Sequence, residues 1–205
     1  MAMGWIYYDI ILLNIILMEE NYIMKKVVAF IGSPRKNGNT AILVKEVIRG
    51  AQDAGAETTI FNLYDMNIKP CQGCLVCRKT GHCVMQDDFQ NMFNHIIDAD
   101  VVVFGSPVYL WQITAQMKLL WDRLCGLFDE NHKPRYGAKS LIMVYSQGNP
   151  NAQAFQTSFQ TNEAVLKMFG LNVVDTILLT GGGDPNTAAN NKELLLKAYE
   201  AGKAI

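Results

Sequence analysis

The sequence predicts a doubly wound α/β fold: one five-stranded parallel sheet, in the order 2-1-3-4-5, with helices on both faces. Three observations carry this. Five short, largely apolar runs alternate along the chain with stretches of helical periodicity, the pattern of repeated βαβ units. Two of these runs, residues 27–31 and 101–104, each feed a loop of unusual composition and then a helix. No internal repeat or low-complexity segment interrupts the alternation, and five strands suit this order better than the six-stranded alternative.

Residues 27–31 are an unbroken apolar run rich in β-branched side chains, as a strand buried on both faces requires. Asn39 or Thr40 caps a helix reaching about residue 54, with Ile42, Leu43, Val47 and Ile48 on one face. Gly55 ends it. Residues 57–61 alternate in polarity and read as the second strand. Residues 62–87 form a long polar loop carrying four cysteines, and a loop of that length in a compact domain usually has a task. A helix over 88–98, with Asp88 as cap and Asp87 on the approach, leads to the third strand at 101–104. The helix over 114–124 places Met117, Leu120, Trp121 and Leu124 at core spacing. A fourth strand at 139–145 ends in a polar turn, a helix spans 153–169, and the fifth strand covers 172–179. Gly181-Gly182-Gly183 makes a turn. Asp184-Pro185 then opens a last helix reaching about residue 201, with the acid as cap and the proline at the first helical position.

At 205 residues the chain is long enough for one domain with a sizeable core. Half of it is apolar and 18% is charged, the balance of a globular protein. A net charge of −1 gives no electrostatic basis for a nucleic-acid partner, and it argues against a dedicated acidic electron carrier. Residues 1–24 are an apolar N-terminal extension, interrupted by Asp9 and Asn14. It is short for a membrane span and lacks the basic start and small-residue cleavage site of a secretory signal. We read it as packing on the domain or on a second subunit. That leaves residues 25–205 as the domain proper, in the cytoplasm and without a membrane partner. In that setting the five cysteines are not a secreted disulfide framework.

In a sheet of this kind ligands bind beyond the carboxyl ends of the strands, where the strand order reverses, here between strands one and three. The loop after strand one offers Ser33, Asn39 and Thr40 as hydroxyl and amide donors and Arg35 and Lys36 as positive charge. Gly38 permits close backbone approach, and the amides opening the next helix face an anion. The loop lacks the Gly-Lys-Ser/Thr of a P-loop and the Gly-x-Gly-x-x-Gly of a dinucleotide site. The loop after strand three is chemically different. Pro107, Val108, Tyr109, Leu110 and Trp111 supply the flat or apolar surface that an isoalloxazine ring needs, with the amides after Pro107 available to its polar edge. Ser146, Gln147 and Gly148, after strand four, make the third wall. A phosphate lip opposite a ring lip points to a flavin nucleotide.

The spacing Cys71-x-x-Cys74-x-x-Cys77-x5-Cys83 is compact. It resembles the ligand run of a [4Fe–4S] cluster more than the separated cysteine pairs of a zinc site. A loop without metal, a zinc ion or a disulfide are the alternatives. Gly73 and Gly81 give the loop freedom to wrap a cluster, and Arg78 and Lys79 are placed to offset thiolate charge. Cys125 reads as a small core residue. His82, His95 and His132 have no ligand-like spacing and read as non-catalytic.

Several of these motifs together resemble the NADPH-dependent FMN reductase family within the flavodoxin-like fold. They are Gly32-Ser33-Pro34-Arg35, Gly38-Asn39-Thr40, the stretch from Asp100 to Tyr109, Gln116-Met117-Lys118 and Asp122-Arg123. The cysteine loop followed by Asp87-Asp88 resembles its iron-sulfur flavoprotein branch. The resemblance spans residues 25–201. It implies bound FMN, with Ser33, Arg35, Asn39 and Thr40 on the phosphate and Pro107 to Trp111 on the ring. It also implies a homodimer or homotetramer. The expected activity is an FMN-dependent NAD(P)H oxidoreductase that passes electrons to a quinone-, flavin- or nitro-type small-molecule acceptor. The alternative is an electron-transfer module fed by ferredoxin through a cluster on Cys71, Cys74, Cys77 and Cys83. A flavin-binding sensor is a third reading.

Overall fold

A computed structural model describes residues 24–205. The N-terminal extension, apart from Met24, lies outside the described residues. Five strands, β1 (Lys26–Ile31), β2 (Glu57–Asn62), β3 (Val101–Pro107), β4 (Lys139–Ser146) and β5 (Leu171–Leu179), form one parallel sheet in the order β2-β1-β3-β4-β5. This is the flavodoxin-like arrangement that the run pattern predicts.

The sheet divides the core in two, because alternate residues of each strand face opposite sides. Val28 and Phe30 of β1, Val102 and Phe104 of β3, and Leu141, Met143 and Tyr145 of β4 join one buried cluster. Its other wall comes from α3 (Phe89–Asp98), α4 (Ala115–Trp121) and α5 (Gln156–Met168). Val27, Ala29 and Ile31 with Val101, Val103, Ile142 and Val144 face the opposite cluster, built from α1 (Asn39–Asp53), α6 (Thr187–Asn190) and α7 (Lys192–Lys203). Each central strand therefore reads as a continuous apolar run, since both of its faces are covered.

Glycine permits two close approaches here. A Cβ on Gly105 would stand 2.4 Å from Cγ2 of Val44, so its absence lets α1 lie directly on β3. Where α1 crosses α7, a Cβ on Gly50 would meet the Tyr199 carbonyl oxygen at 2.0 Å, and one on Gly202 would meet that of Val47 at 1.8 Å. The two helices touch backbone to backbone.

Some predicted elements differ in detail. The loop at 62–87 contains a 3₁₀ turn, Leu63–Asp65, and a short helix, α2 (Val76–Thr80). The last helix is two pieces. Asp184 holds a turn through Asn186 N–H (2.6 Å), helix α6 starts only at Thr187, and α7 restarts at Asn191, whose Oδ1 accepts from Leu194 N (3.0 Å). A polar residue that can cap a second helix stops the first. At α3 the acid roles also change. Asp87 accepts from Phe89 N (3.2 Å), whereas Asp88 reaches back to Asn67 N (2.7 Å). Among the described residues no helix is long and apolar enough to cross a membrane.

Candidate nucleotide cleft and cysteine cavity

The register of the sheet decides what meets at its carboxyl end. Ile31 stands opposite Gly105, Gly32 N–H donates to the Gly105 carbonyl (2.7 Å), and Pro107 stands opposite Ser146. The loops leaving β1, β3 and β4 thus start side by side and enclose one cleft.

The first wall is the turn into α1. Arg35 N–H donates to Ser33 Oγ (3.2 Å) and Gly38 N–H to the Arg35 carbonyl (3.1 Å), which closes the turn. Gly38 occupies the N-cap position, and no side chain caps the helix there. The first-turn amides of α1 consequently have no partner inside the helix and carry the positive end of a 15-residue dipole. Lys36 pairs with Asp65 (2.7 Å), whereas Arg35, on the lip, makes no ion pair among the described residues. The side chains of Asn39 and Thr40 have internal tasks. Asn39 Nδ2 donates to the carbonyls of Gly182 (3.2 Å) and Asp184 (2.8 Å), and its Oδ1 accepts from Ala188 N (2.9 Å). Thr40 Oγ1 and Ser146 Oγ share a hydrogen bond of 2.6 Å.

Pro107, Val108 and Tyr109 form the second wall. The amides expected to face a ring edge are already engaged here. Val108 N–H donates to the Ser146 carbonyl (2.8 Å) and Tyr109 N–H to that of Gln112 (2.9 Å). Leu110 (φ +45°) and Trp111 (φ +68°) form the left-handed tip of this small hairpin and lie outside the cleft lining. Leu110 is 90% exposed, and Trp111 sets its ring edge-on to Phe155 at 5.7 Å.

Ser146, Gln147 and Gly148 make the third wall, joined by Gly182. Gln147 is buried. Its Nε2 donates to the carbonyls of Asn149 (2.9 Å) and Asn151 (2.8 Å), but its Oε1 has no partner among the described residues. A buried acceptor without a donor is costly unless something fills the place. Sequence reasoning passed over Gly182, although the β4–β5 neighbourhood places the glycine turn there. It also passed over Thr114, which caps α4 (Met117 N to Oγ1, 3.3 Å), donates to the Gly32 carbonyl (2.8 Å) and ties the first two walls together.

A second cavity lies in the loop after β2. Cys71, Cys74, Cys77 and Cys83 all line it, and so does Cys125, so the fifth cysteine is not core filler. All five are free thiols. Burial, reinforced by the neighbouring thiols, pushes the Cys77 thiol up to about 11; burial and then Cys71 raise Cys125. Arg78 and Lys79 turn to the carbonyl and carboxylate of Glu130, and of the two only Arg78 acts on a sulfur, opposing the rise at Cys125 by its charge; the cation bonded to a sulfur is a different one. It is Arg123. Its guanidinium donates to Cys83 Sγ (3.3 Å), to the carbonyls of Lys69 (3.3 Å) and Met85 (3.4 Å), and to Asp87 Oδ2 (2.5 Å), and it lies over the Phe89 ring at 4.2 Å. Both side chains of the Arg123–Asp87 pair are 0% exposed. Burial pushes the Asp87 carboxyl up, but the hydrogen bonds from Arg123 and the Lys69 amide outweigh it and hold the group below the usual range. The three histidines are scattered: His95 sits against Phe61, His82 against Phe93 and His132 against Phe128.

The family model described as NADPH-dependent FMN reductase matches residues 25–181. The chain belongs to this family. The chain is 40% identical over 98 residues to an iron-sulfur flavoprotein of Methanocaldococcus jannaschii, covering 48% of this chain and 51% of that protein. It is 32% identical over 133 residues to an iron-sulfur flavoprotein of Archaeoglobus fulgidus, covering 63% and 59%. The chain spans little more than half the length of these curated relatives. Among solved structures, an NAD(P)H:quinone oxidoreductase from Methanothermobacter marburgensis superposes with a TM-score of 0.68 at 16% identity, covering 88% of this chain and 96% of that one. That likeness is one of fold.

Proposed function

We propose that the cleft binds FMN and that the protein is an NAD(P)H-dependent oxidoreductase serving a small-molecule acceptor of quinone, flavin or nitro type. The observation that carries this reading is the convergence in one cleft of an uncapped helix N-terminus and an apolar lip. The residues present fit the cofactor. The open amides of α1 and Arg35 suit a phosphate, Pro107, Val108 and Tyr109 suit the face of a ring, and Gln147 Oε1 offers an acceptor to a donor on the ligand. FMN supplies the redox chemistry when bound, accepting a hydride and releasing electrons singly or in pairs. The chain's own residues hold and orient it. Ser33 completes the phosphate turn, Asn39 pins α1 to the β5–α6 loop, and Tyr109 lends its ring to the lip of the cleft. The exposed Leu110–Trp111 tip beside the cleft gives a second copy an apolar contact, in keeping with a homodimer or homotetramer.

The cysteine cavity favours a second reading, an iron-sulfur flavoprotein fed by ferredoxin. Its thiols line one cavity, yet among the described residues no three Cys, His, Asp or Glu side chains converge to hold a single ion. This suits a four-iron cluster, with one thiolate per iron, better than a single zinc ion. Cys71, Cys74, Cys77 and Cys83 would hold it, with Arg123 donating to the Cys83 sulfur.

Anaerobic purification followed by FMN, iron and sulfide assay separates the readings. FMN without iron, with brisk NAD(P)H oxidation by a quinone, supports the first. FMN with about four irons and four sulfides per chain supports the second. In either case Ser33→Ala with Arg35→Ala weakens FMN binding; an unchanged affinity rejects the cleft assignment.

A further inference from the structure

A four-iron cluster takes four cysteines, yet five thiols line this cavity. The fifth, Cys125, comes from the 3₁₀ turn Leu124–Leu127, which packs against α2, the short helix carrying Cys77. The approach is close. A Cβ on Gly126, next to Cys125, would stand 2.7 Å from the Gly81 carbonyl at the end of α2 and 2.9 Å from the Phe93 ring. Cys77 and Cys125 are both half-buried, whereas Cys71 and Cys74 are exposed at the rim, and the Cys83 sulfur is held by Arg123. The two inner thiols whose sulfurs have no donor among the described residues thus sit on two elements in backbone contact and line the same cavity.

We propose that Cys77 and Cys125 are a pair that an oxidant closes to a disulfide when the cavity carries no cluster. The oxidant is a peroxide. Burial holds the Cys77 thiol above its ordinary range, so the reaction is slow and runs through the thiolate fraction: that sulfur attacks a peroxide oxygen, the O–O bond breaks, one water leaves and a sulfenic acid remains. Cys125 then attacks that sulfur, the S–O bond breaks and a second water leaves. Two thiols lose two electrons and two protons, and hydrogen peroxide becomes two waters. Closure keeps Cys77 from irreversible sulfinic acid, and a dithiol reopens the pair. Control of cluster loading by this pair rests on the iron-sulfur reading above; the disulfide itself does not.

The test uses the full chain, freed of iron by a chelator under reducing, anaerobic conditions. It is treated with stoichiometric hydrogen peroxide, alkylated, digested without reduction and sequenced by tandem mass spectrometry. The expected product links Cys77 to Cys125 and shields both from iodoacetamide. Cys125→Ser, with circular dichroism confirming its fold, loses the link and accumulates sulfinic acid at Cys77. A Cys125 that stays alkylatable, or a link between Cys71 and Cys74 instead, overturns the proposal. In a second arm, oxidised wild-type chain regains uptake of ferrous iron and sulfide after dithiothreitol, and oxidised Cys125→Ser does not; equal recovery in both overturns the protective role. If the reduced chain takes up no iron at all, the cluster reading fails, and the peptide map still decides the pair.

Discussion

The nucleotide cleft and the cysteine cavity are made by different means. Each main wall of the cleft continues a strand, and the loops are locked to one another by bonds such as Thr114 to Gly32 and Thr40 to Ser146. The cavity sits in a long connection between β2 and α3, whose two ends meet at one buried cation: Arg123 touches Lys69 at the start and Cys83, Met85 and Asp87 at the finish. A site made from strand ends is positioned by the whole core. A site made from a loop depends on its clamp.

The sharpest way to break this contrast is at the clamp. Arg123→Ala strands the Asp87 carboxylate in the interior, and a loss of about 3–5 kcal/mol in denaturant unfolding is expected. Hydrogen exchange should localise the damage to residues 69–87 and spare α1. Acidity probes the same pair. Because the fold lowers the Asp87 pKa, its stabilisation is complete above the ordinary carboxylate value of about 3.9 and is lost as pH falls through the lower folded value. The stability gap between wild type and Asp87→Asn should therefore stay flat from neutral pH down to about 5 and narrow only in stronger acid. On the cleft side, Gly105→Ala forces its methyl group into Val44 and should cost about 1–3 kcal/mol. It should weaken FMN binding in titrations while leaving the alkylation rates of the cysteines unchanged; matching changes at both sites would erase the distinction. The smallest effect is a gain. Leu110 holds a left-handed conformation with its side chain in solvent, so Leu110→Asn should raise stability by about 0.5–1 kcal/mol, seen as a higher Tm.

What could be read in the sequence follows the same divide. Buried parallel strands must be apolar on both faces, so β1, β3 and β4 are visible as runs, and the strand order then places Ser33, Pro107 and Ser146 at one edge. The engagement of the Asn39 amide was not legible, because its partners Gly182, Asp184 and Ala188 lie about 150 residues away. Arg123 follows an amphipathic helix, where an arginine ordinarily faces solvent; only the folded loop supplies the acceptors that let it be buried. Cys125 carries no spacing signal of its own, and it joins the other thiols through packing of the Leu124–Leu127 turn on α2. The outward turn of Leu110 and Trp111 is equally silent, since nothing in Leu-Trp announces positive φ angles.

The backbone contact between α1 and α7 bears on the order in which the protein is completed. The helix whose first turn faces the cleft is braced along its length by the final helix, and its Asn39 is fastened to residues 182–188. During synthesis the strands β1 to β4 emerge with all three main walls of the cleft encoded before the brace at residues 182–203 has been made. The cleft therefore reaches its finished form only once residues 182–203 have emerged, well behind the walls that they brace.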